Sequence, residues 1–328
     1  MLKKLSVHMI RQPDPAALAH LCSSLDPEVR LTFGPDLAVP ADYHIFVAGR
    51  PDREHLRASP NLHTLIIPWS GLPEMTRELM LGFPHVAVHN LHHNAAPVAE
   101  MAVALMLAAA KFVVPMDRAL RAHDWTPRYR PNPTVTFEGK TALVLGYGAI
   151  GQRVARSCQA LGMRVMAVRR RVARLSHGTS VEIFPPDALH SLLPQANVLI
   201  VCLPHTPETT GLLGGRELSL LPLGAVLVNV GRGPIVDEAA LYWALREGDL
   251  CAAGLDVWYN YPADEAARSC TPPSAYPFHG LDNVVMSPHR AGHSDQTEIL
   301  RMTHLADLLN AAARGEEIPN RVDLNAGY

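Results

Sequence analysis

The segment 141–151, TALVLGYGAIG, restricts the folds open to this chain more than any other. An apolar run of strand length ends in Gly146, Gly148 and Gly151, spaced GxGxxG. The amphipathic stretch AIGQRVARSCQALG follows as a helix, and a second apolar run, RVMAVR, stands where a βαβ unit needs its next strand. Each glycine has a separate task in such a unit. Gly146 allows the tight turn, Gly148 leaves the backbone open to a pyrophosphate, and Gly151 lets the helix lie close to the strand. The helix N-terminus then faces the anion with free N–H groups and the positive end of its dipole. The spacing therefore predicts a dinucleotide-binding α/β unit.

The end of the second strand bears on which dinucleotide. VMAV runs straight into Arg169, Arg170 and Arg171. A carboxylate in that slot accepts hydrogen bonds from ribose hydroxyls and repels a 2′-phosphate; an arginine attracts the phosphate. No Asp or Glu occurs from Gly151 to Val181. Three adjacent guanidiniums repel one another, so water, nearby carboxylates or a bound anion must compensate. Their place at a strand end favours a 2′-phosphate clamp made by Arg169 and Arg170, with Arg171 facing water. NADP(H) is the expected cofactor, with NAD(H) still open.

The first hundred residues carry the same rhythm. Candidate strands KLSVHMI, VRLTF, YHIFVAG, LHTLIIP and HVAVHN alternate with helical stretches such as PAALAHLCSSL and DREHLRA. After Thr141 the series resumes with VEIF, ANVLIVCLP, AVLVNVG, AAGLDVW and NVVMSPH, and DEAALYWALREG is a helix between two of them. SDQTEILRMTHLADLLNAAARGE reads as a last long helix. The fold class is α/β, with two doubly wound parallel sheets. Between the two series we expect one long buried helix from about Pro97 to Arg121. The proline-rich WTPRYRPNPTVTFEGK then serves as a connection. Glu100 and Lys111 lie inside the apolar stretch VAEMAVALMLAAAKFVVPM, which argues for a core helix over a membrane span.

Composition narrows the function classes. With 48% hydrophobic and 18% charged residues and a formal net charge of −2, the chain reads as a soluble globular protein, and neither nucleic acid nor membrane is an expected partner. The five cysteines are odd in number and scattered, without CxxC spacing, which points to a reducing, cytoplasmic setting. The start, MLKKLSVHMI, reads as a first strand and not as a signal peptide. The seventeen histidines are dispersed, with one adjacent pair in LHHN, and no metal site is expected.

Two strand ends carry residues able to do chemistry. VLVNVGRGPIVDEAAL sets Arg232 between glycines just after an apolar run, where it either faces a crevice with its planar fork or is a surface turn residue. NVVMSPHRAGHS sets His289 behind Pro288 at another strand end. Beside a nicotinamide, a histidine there could act as acid or base in a carbinol–carbonyl interconversion.

At this point the chain resembles the D-isomer-specific 2-hydroxyacid dehydrogenase family, of the glyoxylate/hydroxypyruvate reductase kind. The resemblance rests on NAAPVAEMAVALML, FEGKTALVLGYGAIGQRVA, LGMRVMAV, VCLPHTPETTGLL, VNVGRGPIVDEAALYWAL, AAGLDVW and SPH, in family order and spacing. It implies a Rossmann cofactor domain, residues 104–291, inserted in a flavodoxin-like substrate domain made of 1–103 and 292–328. The chain would cross between them twice, at hinges that let a cleft close over substrate. It implies a homodimer, formed through the cofactor domain and the helix near 97–121. Arg232 would bind the carboxylate of a small 2-ketoacid or 2-hydroxyacid, and His289 would exchange the proton on its oxygen. Ser70 and Gly71, in WSGLP, would hold the carboxylate through backbone N–H groups, with Asn94 and Glu100 near the cleft. Cofactor contacts would come from Gly146, Tyr147, Gly148, Ala149, Ile150 and Gly151, then Arg169 and Arg170. Further contacts would come from Leu203, Pro204, Thr209, Val230, Gly231, Asp256 and Gly292, with Asp256 near the nicotinamide carboxamide.

One position departs from the family. The usual DVFxxEP reads DVWYNYP here, so Tyr261 stands where a glutamate pairs with the histidine. A carboxylate would favour the imidazolium; a neutral phenol supplies little of that help, though it could orient His289. The expected activity is NADPH-dependent reduction of glyoxylate or hydroxypyruvate. A dehydrogenase of another small anion, or a catalytically weak NADP(H)-binding regulator, stays open beside it.

Overall fold

The computed structural model describes residues 4–37, 39–131, 133–170 and 180–327. Contacts divide the chain into two compact units, Met1–Asn94 with His293–Tyr328, and Ala95–Gly292. The first unit opens with β1 (Leu5–Met9), α1 (Pro15–Ser24), β2 (Val29–Phe33), β3 (Ile45–Val47), α2 (Arg53–Ala58), β4 (Thr64–Ile67), α3 (Glu74–Leu81) and β5 (Ala87–Asn90). Its five strands run parallel in the order β2-β1-β3-β4-β5, which is the flavodoxin-like order. Strands β3 and β4 are buried along their whole length, so their sequences IFV and TLII are unbroken apart from one threonine. Side-chain caps start the first helices. Asp14 accepts the N–H groups of Ala16 and Ala17, with Pro15 in the first turn, and Asp52 accepts that of His55.

The second unit holds α4 (Ala95–Ala110), α5 (Val113–Arg121), β6 (Thr141–Leu145), α6 (Ala149–Ala160), β7 (Arg164–Val168), β8 (Glu182–Phe184), α7 (Leu189–Leu192), β9 (Val198–Val201), α8 (Gly215–Ser219), β10 (Ala225–Asn229), α9 (Glu238–Glu247), β11 (Leu250–Leu255) and β12 (Val284–Met286). Its seven strands are parallel in the order β12-β11-β10-β9-β6-β7-β8. Counted from β6 as first strand, this is the Rossmann order, and it reverses between β6 and β9. Both faces are covered. Leu143 and Leu145 of β6 join a core with Leu241 and Leu245 of α9, while Ala142 and Val144 join another with Leu105 of α4 and Val154 of α6. The chain then returns to the first unit through α10 (Thr297–Ala313), whose Leu305 and Leu309 share a core with Val7 and Leu21.

The single long helix expected over 97–121 is two helices. α4 and α5 are bent by 64° at a short break. Phe112, in the break, takes a left-handed φ of 52°. Pro115, in the first turn of α5, has no N–H to return, and its ring would collide with the carbonyl four residues back. The second half is not buried either: α4 buries eight residues, including Leu105 and Met106, whereas α5 buries none. Among the described residues no single helix is long and apolar enough to cross a membrane.

Candidate active site

The glycine loop joins β6 to α6. Gly146 has a φ of 94°, in the left-handed region, and its N–H donates to Val168 O at 3.1 Å, tying the turn to β7. A Cβ on Gly151 would lie 2.0 Å from Gly146 O, so only glycine lets α6 start this close to the strand. Gly148 caps α6 with nothing within 4 Å of where its Cβ would be. No side chain caps this helix and its first turn carries no acid. The cradle therefore fits a pyrophosphate, with backbone free to approach and uncompensated N–H groups behind it. Tyr147 is buried; Ala149 and Ile150, on the first turn, are half-buried.

Strand β7 ends at Val168. Arg169 is half-exposed, and its N–H donates to Phe184 O. Among the described residues no carboxylate pairs with its guanidinium. Arg170 does have one: Glu208 Oε2 lies 3.3 Å from its Nη1, across two exposed side chains. An ion pair so exposed is worth well under ~1 kcal/mol, weak enough for a phosphate to replace. Arg171 lies outside the described residues.

The loop after β9 carries Leu203, Pro204 and Thr209. The Thr209 hydroxyl is committed to its own loop, donating to Pro204 O at 2.8 Å and accepting the Thr206 N–H at 2.8 Å. After β10, Asn229 fixes the next turn from both ends. Its Oδ1 accepts the Gly231 N–H and its Nδ2 donates to Arg232 O, each at 3.0 Å. Gly231 is needed there, since a Cβ would lie 2.6 Å from Leu203 O. Val230 is buried. Arg232 follows, half-buried, with Nη1 donating to Gly231 O at 2.7 Å. Among the described residues no carboxylate faces its guanidinium. Burial pushes its pKa down, and the nearby Tyr261 phenol offsets this in part.

His289 sits beyond β12 in a three-residue turn closed by its own N–H to Ser287 O at 3.0 Å. Its φ of 56° is unusual for a residue with a Cβ and costs about 1–2 kcal/mol. Asp256, 1% exposed at the end of β11, holds this turn. Oδ1 accepts the Ser287 hydroxyl at 2.6 Å and the Arg290 N–H at 2.9 Å; Oδ2 accepts the Ala291 N–H at 3.0 Å. Trp258 adds an Nε1–H bond to Ser287 O at 2.8 Å. The Tyr261 ring packs on His289 with centroids 5.5 Å apart and planes at 56°. Its hydroxyl accepts the Trp258 N–H at 3.1 Å. Burial raises the phenol pKa above its ordinary value, so Tyr261 is neutral near pH 7 and brings no negative charge to the imidazole. Gly292 closes the turn and the unit.

In the first unit, the loop after β4 carries Ser70 and Gly71. Buried Asn90, the last residue of β5, donates from Nδ2 to Ser70 O at 2.8 Å. Across a trans peptide the next N–H points the opposite way, so that of Gly71 is turned away from Asn90. No described residue accepts it. Asn94 is half-buried, with an enclosed Oδ1 that has no partner among the described residues. Glu100 is exposed on α4. Among the described residues no group of His, Cys, Asp or Glu side chains is arranged to hold a metal ion.

Asn90, Asn229, Trp258 and Ser287 went unread in the sequence. The two asparagines leave a signal, since each is a polar residue closing an apolar strand, VHN and VLVN.

A glycine cradle, a capless helix and an unpaired arginine at the carboxyl edge of a seven-stranded parallel sheet define a dinucleotide-binding unit of the doubly wound class. The chain belongs to the D-isomer specific 2-hydroxyacid dehydrogenase family: the model of that family's NAD binding domain matches residues 103–291. It is 34% identical over 308 residues to D-3-phosphoglycerate dehydrogenase of Mycobacterium leprae, covering 92% of this chain and 56% of that protein. The chain thus spans about half the length of the phosphoglycerate dehydrogenases it matches. It is 37% identical over 231 residues to glyoxylate reductase of Aeropyrum pernix, covering 69% of this chain and 65% of that one. A D-isomer specific 2-hydroxyacid dehydrogenase of Xanthobacter autotrophicus, solved with NADPH and MES, superposes with a TM-score of 0.80 at 25% identity, covering 99% and 100% of the two chains.

Proposed function

We propose that this chain is an NADPH-preferring oxidoreductase that reduces small 2-ketoacids, of the glyoxylate or hydroxypyruvate type, to D-2-hydroxyacids. The observation that carries this reading is Arg232, a half-buried guanidinium with no carboxylate facing it among the described residues. A desolvated cation without a counter-ion is unfavourable, and a substrate carboxylate relieves it. The planar fork suits that group and can also polarise the neighbouring keto oxygen. His289, held by Asp256 and Trp258, supplies the proton to that oxygen, and Tyr261 keeps the imidazole in place by ring contact. Residues 104–291, which lie within the compact unit Ala95–Gly292, serve as the dinucleotide-binding domain, and 1–103 with 292–328 as the substrate-binding domain.

The glycine loop, Arg169, Arg170 and the residues at 203–204, 230–231 and 292 hold the dinucleotide, while Thr209, bonded within its own loop, shapes the 203–204 segment. Bound there, the nicotinamide supplies hydride to the keto carbon. Arg169 favours the 2′-phosphate because no carboxylate competes for it. NADPH in the similar Xanthobacter structure supports the same preference. Helix α5 leaves Val113, Val114 and Leu120 exposed, and this apolar face supports homodimer formation.

Tyr261 favours a second reading. With its hydroxyl engaged by Trp258 and no negative charge to offer His289, the site suits a dehydrogenase of another small anion, or a weakly active NADP(H)-binding regulator. Steady-state NADPH oxidation across a panel of 2-ketoacids separates the two. Turnover of glyoxylate or hydroxypyruvate supports the first. NADPH binding seen by fluorescence, with no turnover of any ketoacid from pH 5 to 7, overturns it.

A further inference from the structure

The carboxyl edge of the five-stranded sheet holds a large aromatic side chain that the proposed chemistry does not use. Trp69 follows β4, directly before Ser70 and Gly71. Its benzo ring rests on the bare Cα of Gly49, which follows the neighbouring strand β3. A Cβ built on Gly49 would lie 1.8 Å from Cη2 and 2.0 Å from Cζ2 of the indole. Any side chain at position 49 would displace the ring.

Both sides of this contact are pinned. Gly49 O accepts the hydroxyl of buried Thr76, on α3, at 2.9 Å. Trp69 O accepts the Leu91 N–H at 3.3 Å, and Ser70 O is held by Asn90. The backbone that carries the indole and the Gly71 N–H is therefore fixed, and the ring is seated against Gly49. Yet Trp69 is 37% exposed, at the edge of a parallel sheet where such folds take their ligands. A half-open aromatic wall beside the Gly71 N–H, which no described residue accepts, has a definite consequence for any carboxylate received there. Whatever follows the carboxylate must fit beside the wall.

We propose that Trp69, seated on Gly49 beside the Ser70–Gly71 loop, is a specificity-determining residue that restricts the enzyme to 2-ketoacids with a short chain beyond the keto carbon. This rests on the reading that the loop receives the carboxylate of a ketoacid substrate. A misfit of one methylene in such a pocket is worth roughly 10–200-fold in kcat/KM. Glyoxylate, pyruvate and hydroxypyruvate fit; straight chains of five or six carbons do not.

The test is kcat/KM with NADPH for glyoxylate, pyruvate, 2-ketobutyrate and 2-ketohexanoate, in the wild type and in Trp69→Ala, Trp69→Phe and Gly49→Ala. Trp69→Ala raises the 2-ketohexanoate to glyoxylate ratio by at least about 10-fold, with NADPH affinity unchanged. Trp69→Phe gives a smaller rise in the same direction. Gly49→Ala drives the indole outward and lowers kcat/KM for 2-ketobutyrate more than for glyoxylate. An unchanged ratio in Trp69→Ala, or in Trp69→Phe should the alanine variant fail to fold, overturns the inference. A wild type that reduces no ketoacid overturns the function reading and this inference with it; turnover with an unchanged ratio condemns the inference alone.

Discussion

Replacing Asp256 with asparagine isolates what its carboxylate does for the histidine turn. The two oxygens take three donors, the Ser287 hydroxyl and the Arg290 and Ala291 N–H groups, at 2.6, 2.9 and 3.0 Å. An amide of the same shape can offer its oxygen to one side only. Whichever way it is turned, its NH2 faces a backbone N–H, that of Arg290 or that of Ala291. Hydrogen bonds to a charged acceptor contribute about 1.5–3 kcal/mol each against about 1 for neutral pairs, and a buried donor left unmet costs about 1–3 kcal/mol. Asp256→Asn should therefore destabilise the protein by about 3 kcal/mol. For a unit of this size that lowers the melting temperature by roughly 10 °C. Because His289 holds its φ of 56° only within this turn, kcat should fall in parallel. Differential scanning calorimetry with steady-state kinetics reads both. A melting temperature unchanged within about 1 °C, with the loss confined to cofactor affinity, would refute the turn-holding role and assign the carboxylate to the dinucleotide.

Two further outcomes follow from the electrostatics. Tyr261→Glu places a carboxylate beside His289 and favours the imidazolium, so the alkaline limb of the reduction pH profile should move to higher pH; an unmoved limb would separate Tyr261 from the proton transfer. In the first unit, burial and the nearby Arg301, His304 and His92 hold buried His93 at a pKa of about 4, below the ordinary 6.5. The unfolded chain then binds more protons through that window, so stability is lost as pH falls from about 6.5 to about 4, by at most about 3 kcal/mol from this residue. Urea unfolding at several pH values checks it, and His93→Asn should flatten the slope; an equally steep slope in the variant would contradict it.

The sequence made the sheets legible where burial on both faces leaves continuous apolar runs. ANVLIVCLP contains β9, whose VLIV is buried throughout, and TALVLGYGAIG marks its own strand, turn and helix because glycine alone fits that packing. Helix α3 escaped notice because only Thr76 and Met80 of its residues are buried, too few to set a period. The break at Phe112 hides because an apolar run continues through it, while the constraint lies in one proline and one backbone angle. In the candidate site, Arg232 and His289 could be placed at strand ends from the ends of the apolar runs. What holds them could not. Trp258 meets Ser287 across 29 positions, and Arg170 meets Glu208 across 38, contacts that only the folded sheet creates. The carboxylate compensating Arg170 was therefore invisible in a window that holds no acid.

Glyoxylate reduction with NADPH and NADH run side by side, in the wild type and in Arg169→Asp, tests both the ketoacid chemistry and the role of Arg169 at the 2′-phosphate. Turnover is expected, with kcat/KM about 10–100-fold higher for NADPH, as one or two charge-assisted bonds to a 2′-phosphate imply. Arg169→Asp should erase that preference while sparing NADH. No turnover with either cofactor, or equal losses with both in the variant, would contradict it.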